Sequence, residues 1–150
     1  EIEELMLKKN EWYLDLMGEM DESEILPGVS RILKEAQELG LKIALGSASK
    51  NATLILDQVN LTSFFEVIID GNVVSASKPD PEVFVKGAEG LGLVNDECIV
   101  FEDSISGIDA ALAGGMKAVG IGHPDTLYKA HLNLNGFANV QLQKDILDKL

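Results

Sequence analysis

Apolar residues recur along this chain in two rhythms. Over residues 2–20 they return every three or four positions, placing Ile2, Leu5, Met6, Tyr13, Leu16, Met17 and Met20 on one stripe, the spacing of an amphipathic helix. Lys9 falls near the middle of that stripe, where a cation must snorkel to water or meet an anion in a cleft. A polar connector, Asp21-Glu22-Ser23-Glu24, follows, and Pro27-Gly28 opens a helix carrying Val29, Ile32, Leu33, Ala36 and Leu39, with Gly40 as its C-cap. Short apolar runs then alternate with helical stretches. Strands are expected over 41–45, 65–69, 98–101 and 117–121, and helices over 52–59 and 104–113, with a closing helix over 142–150. Asp80 and Pro81 form the start of a further helix, carrying Val83, Phe84 and Ala88. Alternation at this spacing predicts βαβ units and an α/β fold with a mostly parallel sheet.

Three polar segments interrupt the pattern at informative places. Gly46-Ser47-Ala48-Ser49-Lys50-Asn51 and Phe101-Glu102-Asp103-Ser104 each follow an apolar strand, and Ser77-Lys78-Pro79-Asp80-Pro81 lies between them. In an open α/β sheet the C-terminal strand ends are where ligands bind. Ser47 is expected at such an end, before a helix whose first amide groups favour an anion, although serine there is also an ordinary helix cap. Lys78 supplies a compact positive charge suited to a phosphate, or is simply a solvated lysine. Glu102 and Asp103 are adjacent acids abutting an apolar run. They repel each other unless a cation sits beside them, and magnesium takes one or two carboxylates together with waters and phosphate oxygens; the alternative for Asp103 is helix capping. No Asp-x-Asp pair on a strand precedes these segments, so the sequence holds no nucleophile in the expected place.

The 150 residues suit one domain with a sizeable core, and 46% are hydrophobic without any stretch long enough to span a bilayer. A net charge of −13 argues against nucleic acid or an anionic membrane as partner, while leaving room for a locally basic phosphate site. The single Cys98 excludes an internal disulfide framework and reads as a buried core residue. His123 and His131 lack partners at metal-ligand spacing, and Trp12 and Tyr13 read as packing residues. No targeting segment is visible, so a cytoplasmic location is expected; a chain starting at Glu1 suggests a fragment.

With 31 positions from Ser47 to Lys78 and 25 from Lys78 to Asp103, the three segments resemble motifs two, three and four of the haloacid dehalogenase superfamily of phosphotransferases. Ser47 to Asn51, Ala76-Ser77-Lys78-Pro79, Glu102-Asp103-Ser104 and Lys8-Lys9-Asn10 are most similar to its β-phosphoglucomutase-like members. The resemblance implies a Rossmann-like three-layer core over residues 23–150, and over residues 1–22 the last part of a helical cap joined by a hinge at 21–26. It also implies that the central first strand, which bears an aspartate nucleophile in the family, is absent. By the same resemblance Ser47 and Lys78 hold the transferring phosphoryl group, and Glu102 and Asp103 hold Mg2+. Ala48, Ser49, Lys50 and Asn51 bind the substrate, the last three gripping a second phosphate, and Lys9 reaches the sugar from the cap. The implied partner is a small phosphorylated sugar, with the missing N-terminal segment or another copy of the chain needed to fill the sheet. The implied reaction interconverts β-glucose 1-phosphate and glucose 6-phosphate through an aspartyl-phosphate and a bisphosphate, with a sugar-phosphate phosphatase as the alternative. A phosphoacceptor signalling domain is the third reading, but receiver domains place the acid pair before the lysine, the reverse of the order here.

Overall fold

A computed structural model of the chain describes residues 4–7, 28–47 and 49–150, for 4–7 the backbone alone. Six strands form one sheet in the order β3-β2-β1-β4-β5-β6, and every neighbouring pair is parallel. They are β1 (Glu4–Leu7), β2 (Lys42–Gly46), β3 (Val67–Ile69), β4 (Cys98–Glu102), β5 (Lys117–Ile121) and β6 (Leu132–Leu134). The helices are α1 (Val29–Glu38), α2 (Ala52–Gln58), α3 (Glu82–Leu91) and α4 (Ile105–Ala113).

Because successive side chains on a strand point to opposite faces, β2 and β4 each feed two cores. Ile43, Leu45, Ile99 and Phe101 join Ile32, Leu33, Ile55 and Leu56 of α1 and α2 on one face. Ala44 and Val100 join Val83, Phe84, Ile108 and Ala111 of α3 and α4 on the other. The sheet is therefore the middle of three layers, and the expected α/β fold is present. The α1 helix ends as expected near Gly40, whose φ of 76° is left-handed, and the Leu41 N–H returns to the Ala36 carbonyl at 2.9 Å.

The largest correction falls on the first residues. The stretch expected to begin a cap helix instead places Glu4–Leu7 in the centre of the sheet, with Leu7 aligned to Leu45 on one side and Phe101 on the other. The central slot that the sequence reading left empty is thus occupied. The physical reason is that β2 and β4 each present a row of backbone donors and acceptors to that slot, and a parallel strand satisfies both rows at once. The apolar run within Glu4–Leu7, Leu5-Met6-Leu7, is three residues long and compatible with a helix or a buried strand by periodicity alone. The rest of the expected cap helix and the hinge at 21–26 lie outside the described residues. Two smaller differences occur at the other end. An unforeseen edge strand, β6, follows β5, and the closing helix is a single wide turn at Leu142–Ile146 followed by a 3₁₀ turn at Leu147–Lys149. Leu142 and Ile146 are nevertheless fully buried against the α1 side of the sheet.

Candidate phosphoryl-binding site

All strands being parallel, their C-terminal ends share one edge of the sheet. Ser47 directly follows β2 and Glu102 ends β4, with only β1 between them. Two strand spacings put their backbones about 10 Å apart. The alternation of strands and helices thereby delivers a hydroxyl and a carboxylate to the same edge of the sheet, on either side of β1.

On the β2 side the loop is tied down by its own serines. The Ser47 N–H donates to the Ile69 carbonyl at 2.9 Å, and the Ser47 Oγ accepts from the Ser49 N–H at 3.1 Å. The Ser49 Oγ in turn accepts from the Asn51 N–H at 2.9 Å. Each hydroxyl that accepts a backbone proton keeps its own proton to donate, which suits Ser47 to an anionic oxygen. The loop after β3 adds two ties: Gly71 N–H to the Ser49 carbonyl at 2.9 Å, and Asn72 Nδ2 to the Lys50 carbonyl at 3.1 Å. Ser47 and Ser49 are buried, whereas Lys50 and Asn51 are exposed, so the expected trio at 49–51 is split between interior and surface. The helix that follows, α2, has only seven residues, so anion recognition here rests on side chains more than on a helix terminus. Lys9 and Ala48, both expected in the substrate site, lie outside the described residues.

On the β4 side, Lys78 and Glu102 form a buried ion pair. Lys78 Nζ lies 3.1 Å from Glu102 Oε2, with the two side chains 6% and 0% exposed. The ammonium also sits over the ring of Phe84, 4.6 Å from its centroid, where the negative face of the ring attracts it. The second carboxylate oxygen, Oε1, accepts from the N–H groups of Asp103 and Ser104 at 3.0 and 3.2 Å and from the Ser104 hydroxyl at 3.1 Å. The Ser104 Oγ caps α4 by accepting from the Gly107 N–H at 3.0 Å. A Cβ at Gly107 would lie 2.0 Å from the Glu102 carboxyl carbon, so glycine is required there for the carboxylate to occupy its position.

The loop carrying Lys78 is held by Glu82 in the first turn of α3. Its Oε1 accepts from the Ser75 N–H and Oγ, both at 3.0 Å, and from the Ala76 N–H at 2.7 Å, and its Oε2 pairs with Lys86 at 2.9 Å. These donors, Lys86 foremost, hold the Glu82 carboxyl at about 2, below its ordinary 4.5. The start of α3 lies one residue later than expected: Pro81, not Asp80, occupies the N-cap position, and Asp80 Oδ1 accepts from the Glu82 N–H at 2.9 Å from just outside the helix.

Among the described residues, no three His, Cys, Asp or Glu side chains cluster as a metal cage. Glu102 and Asp103 supply two hard carboxylates against the one ammonium of Lys78, a formal charge of about −1 for the three groups. That donor set fits magnesium, which takes few protein ligands and retains waters, and not a softer metal. Two groups escaped the sequence reading in their present roles: Glu82, indistinguishable by type from other first-turn acids, and Gly107. Only the five-residue interval from Glu102 to Gly107, which brings the first turn of α4 back over the strand end, could have signalled the second.

Comparison with known proteins agrees with this geometry. The family model of haloacid dehalogenase-like hydrolases matches residues 2–115. The β-phosphoglucomutase of Bacillus subtilis is 33% identical over 143 residues, covering 95% of this chain and 63% of that protein. The phosphorylated carbohydrates phosphatase of Thermotoga maritima is 34% identical over 134 residues, covering 85% of this chain and 62% of that protein. The crystal structure of β-phosphoglucomutase from Clostridium difficile superposes with a TM-score of 0.86 at 34% identity, covering 92% of this chain and 61% of that one. The chain therefore spans less than two thirds of the length of these relatives. With a parallel sheet, a buried Lys78–Glu102 pair and Ser47 across the central strand, and with the match running over most of its length, this chain belongs to the haloacid dehalogenase-like hydrolase family.

Proposed function

We propose that this chain is the phosphoryl-handling core of a cytoplasmic sugar-phosphate mutase, interconverting β-glucose 1-phosphate and glucose 6-phosphate through an aspartyl-phosphate and a sugar bisphosphate. The observation that carries the reading is the buried Lys78–Glu102 pair at the sheet edge that also bears Ser47. Ser47 donates its hydroxyl proton to one phosphoryl oxygen, and Lys78 presents its charge to another in surroundings that exclude most water, where such an interaction is strong. Glu102 and Asp103 hold magnesium, which when bound neutralises charge developing on the phosphoryl oxygens. Ser49, Lys50 and Asn51 grip the second phosphate of the bisphosphate, with Ala48 beside them, and Lys9 reaches the sugar.

A phosphatase is the second reading, favoured by the likeness to the Thermotoga maritima enzyme. The exposed Lys50 and Asn51 beside the buried Ser49 favour the mutase, because retaining a bisphosphate requires a grip on the phosphate that is not being transferred.

The sequence continuing from β1 is Lys8-Lys9-Asn10, with no aspartate at the strand end. The nucleophilic carboxylate therefore comes from polypeptide outside these 150 residues, and the chain alone binds substrate without turning it over. Incubation with magnesium, β-glucose 1-phosphate and a trace of glucose 1,6-bisphosphate, followed by phosphorus NMR, tests this. Magnesium-dependent binding of the bisphosphate, with neither glucose 6-phosphate nor phosphoprotein formed, is the expected result. Binding indifferent to Lys50→Ala would favour the phosphatase, and measurable turnover would show the nucleophile to be misassigned.

A further inference from the structure

We infer that the first turn of α3 is a positioning device for Lys78, in which Glu82 anchors the approach loop by its backbone and Phe84 floors the ammonium. The inference rests on the proposed role of Lys78 as a phosphoryl-binding group, and it adds two residues to which that role assigns nothing. Lys78 lies in a loop with no strand or helix of its own, between β3 and α3. A charge that has to meet a phosphoryl oxygen within a few tenths of an ångström cannot be left to a free loop.

Two independent contacts from one helical turn fix it. One carboxylate oxygen of Glu82 gathers the N–H groups of Ser75 and Ala76 and the Ser75 hydroxyl, pinning the backbone three and two residues before Lys78. Phe84, on the opposite side of the same turn, is fully buried and lies beneath the ammonium. Phe84 is itself wedged from behind, since a Cβ at Gly46 would approach its ring to 3.1 Å. Gly46 immediately precedes Ser47, so one ring ties the lysine side of the site to the serine side. Lys86 completes the Glu82 cluster from the surface and donates to the Val73 carbonyl of the same loop at 2.8 Å.

The test uses the whole chain, inorganic phosphate as probe, and two readouts. Titration of phosphate with magnesium present measures the site, and the shielding of the Lys78 side-chain methylene protons by the Phe84 ring measures the position of the lysine. Glu82→Ala and the near-isosteric Glu82→Gln should both reduce that ring-current shift and weaken phosphate binding about tenfold for the alanine variant. Lys86→Met should change neither by more than about twofold, because it removes only the exposed bond to the Val73 carbonyl and leaves those of Glu82 to Ser75 and Ala76 in place. Phe84→Leu should abolish the shift and weaken phosphate binding as well. Unaltered shift and affinity in both Glu82 variants would overturn the inference. Lys78→Met binding phosphate like the parent would instead refute the phosphoryl role of Lys78, while the ring-current readout still decides for or against positioning by Glu82.

Discussion

At the scale of single residues, the site depends on how Glu102 is packed. Its carboxylate is enclosed, with one oxygen toward Lys78 and the other toward the start of α4. That enclosure predicts the consequence of the smallest possible insertion: Gly107→Ala places a methyl group inside the Glu102 side chain, 2.0 Å from its Cγ and Cδ. The variant should lose about 1–3 kcal/mol in urea unfolding, the range for overpacking, and should bind phosphate more weakly because Glu102 and Lys78 are displaced together. Unchanged stability would mean that α4 starts farther from the strand end than described. Asp103 carries a different expectation. It is only partly buried and follows Glu102 directly, so Asp103→Asn should keep the fold while weakening magnesium binding about tenfold or more. Calorimetric titration with magnesium measures this, and equal affinity in the variant would remove Asp103 from the metal site.

At the scale of elements, α3 couples acid sensitivity to loop order. Glu82 titrates at about 2 in the folded chain against an ordinary 4.5, because Lys86 and the Ser75 and Ala76 N–H groups favour its charged form. The sign follows directly: the folded pKa is depressed, so the stabilisation is complete above about 4.5 and is lost as pH falls toward 2. Amide exchange at Ser75 and Ala76 should accelerate across that window beyond its intrinsic pH dependence, and Glu82→Gln should abolish the extra acceleration. The same window in the Glu82→Gln variant would assign the effect to another group. The elements also separate what was legible in the sequence from what was not. The helices α1 and α3 announced themselves by apolar spacing together with Gly28, Gly40, Asp80 and Pro81, since both period and terminus chemistry are local properties. Strands β2, β4 and β5 were legible as short apolar runs. The residues around Lys78 and Glu102 were legible as chemistry, yet their pairing across 24 positions was not, because it is made by the sheet. Glu4–Leu7 was misread because its partners are distant in sequence. Only the slot between β2 and β4 decides that it is a strand, and no local period carries that information.

At the scale of the whole molecule, β1 holds the two halves of the sheet together and so sets the separation of Ser47 from Glu102. Without it, β2 and β4 would each expose an unpaired edge in the middle of the molecule, a template for association with other chains. Met6 stands opposite Ala44 and Val100, and proline there removes a ladder donor in a central strand. Met6→Pro should therefore abolish a cooperative, monomeric unfolding transition, read by urea denaturation and sedimentation. A variant that unfolds like the parent would show that the sheet does not rely on this strand.

The central claim is that Ser47, Lys78 and the Glu102–Asp103 pair form one phosphoryl and magnesium site at the C-terminal edge of that sheet. The most direct measurement is a crystal structure of the chain grown with magnesium and inorganic phosphate. The account predicts phosphate oxygens within hydrogen-bond reach of both Ser47 Oγ and Lys78 Nζ, with the metal on Asp103. Phosphate bound elsewhere on the molecule, or a metal remote from Asp103, would contradict it.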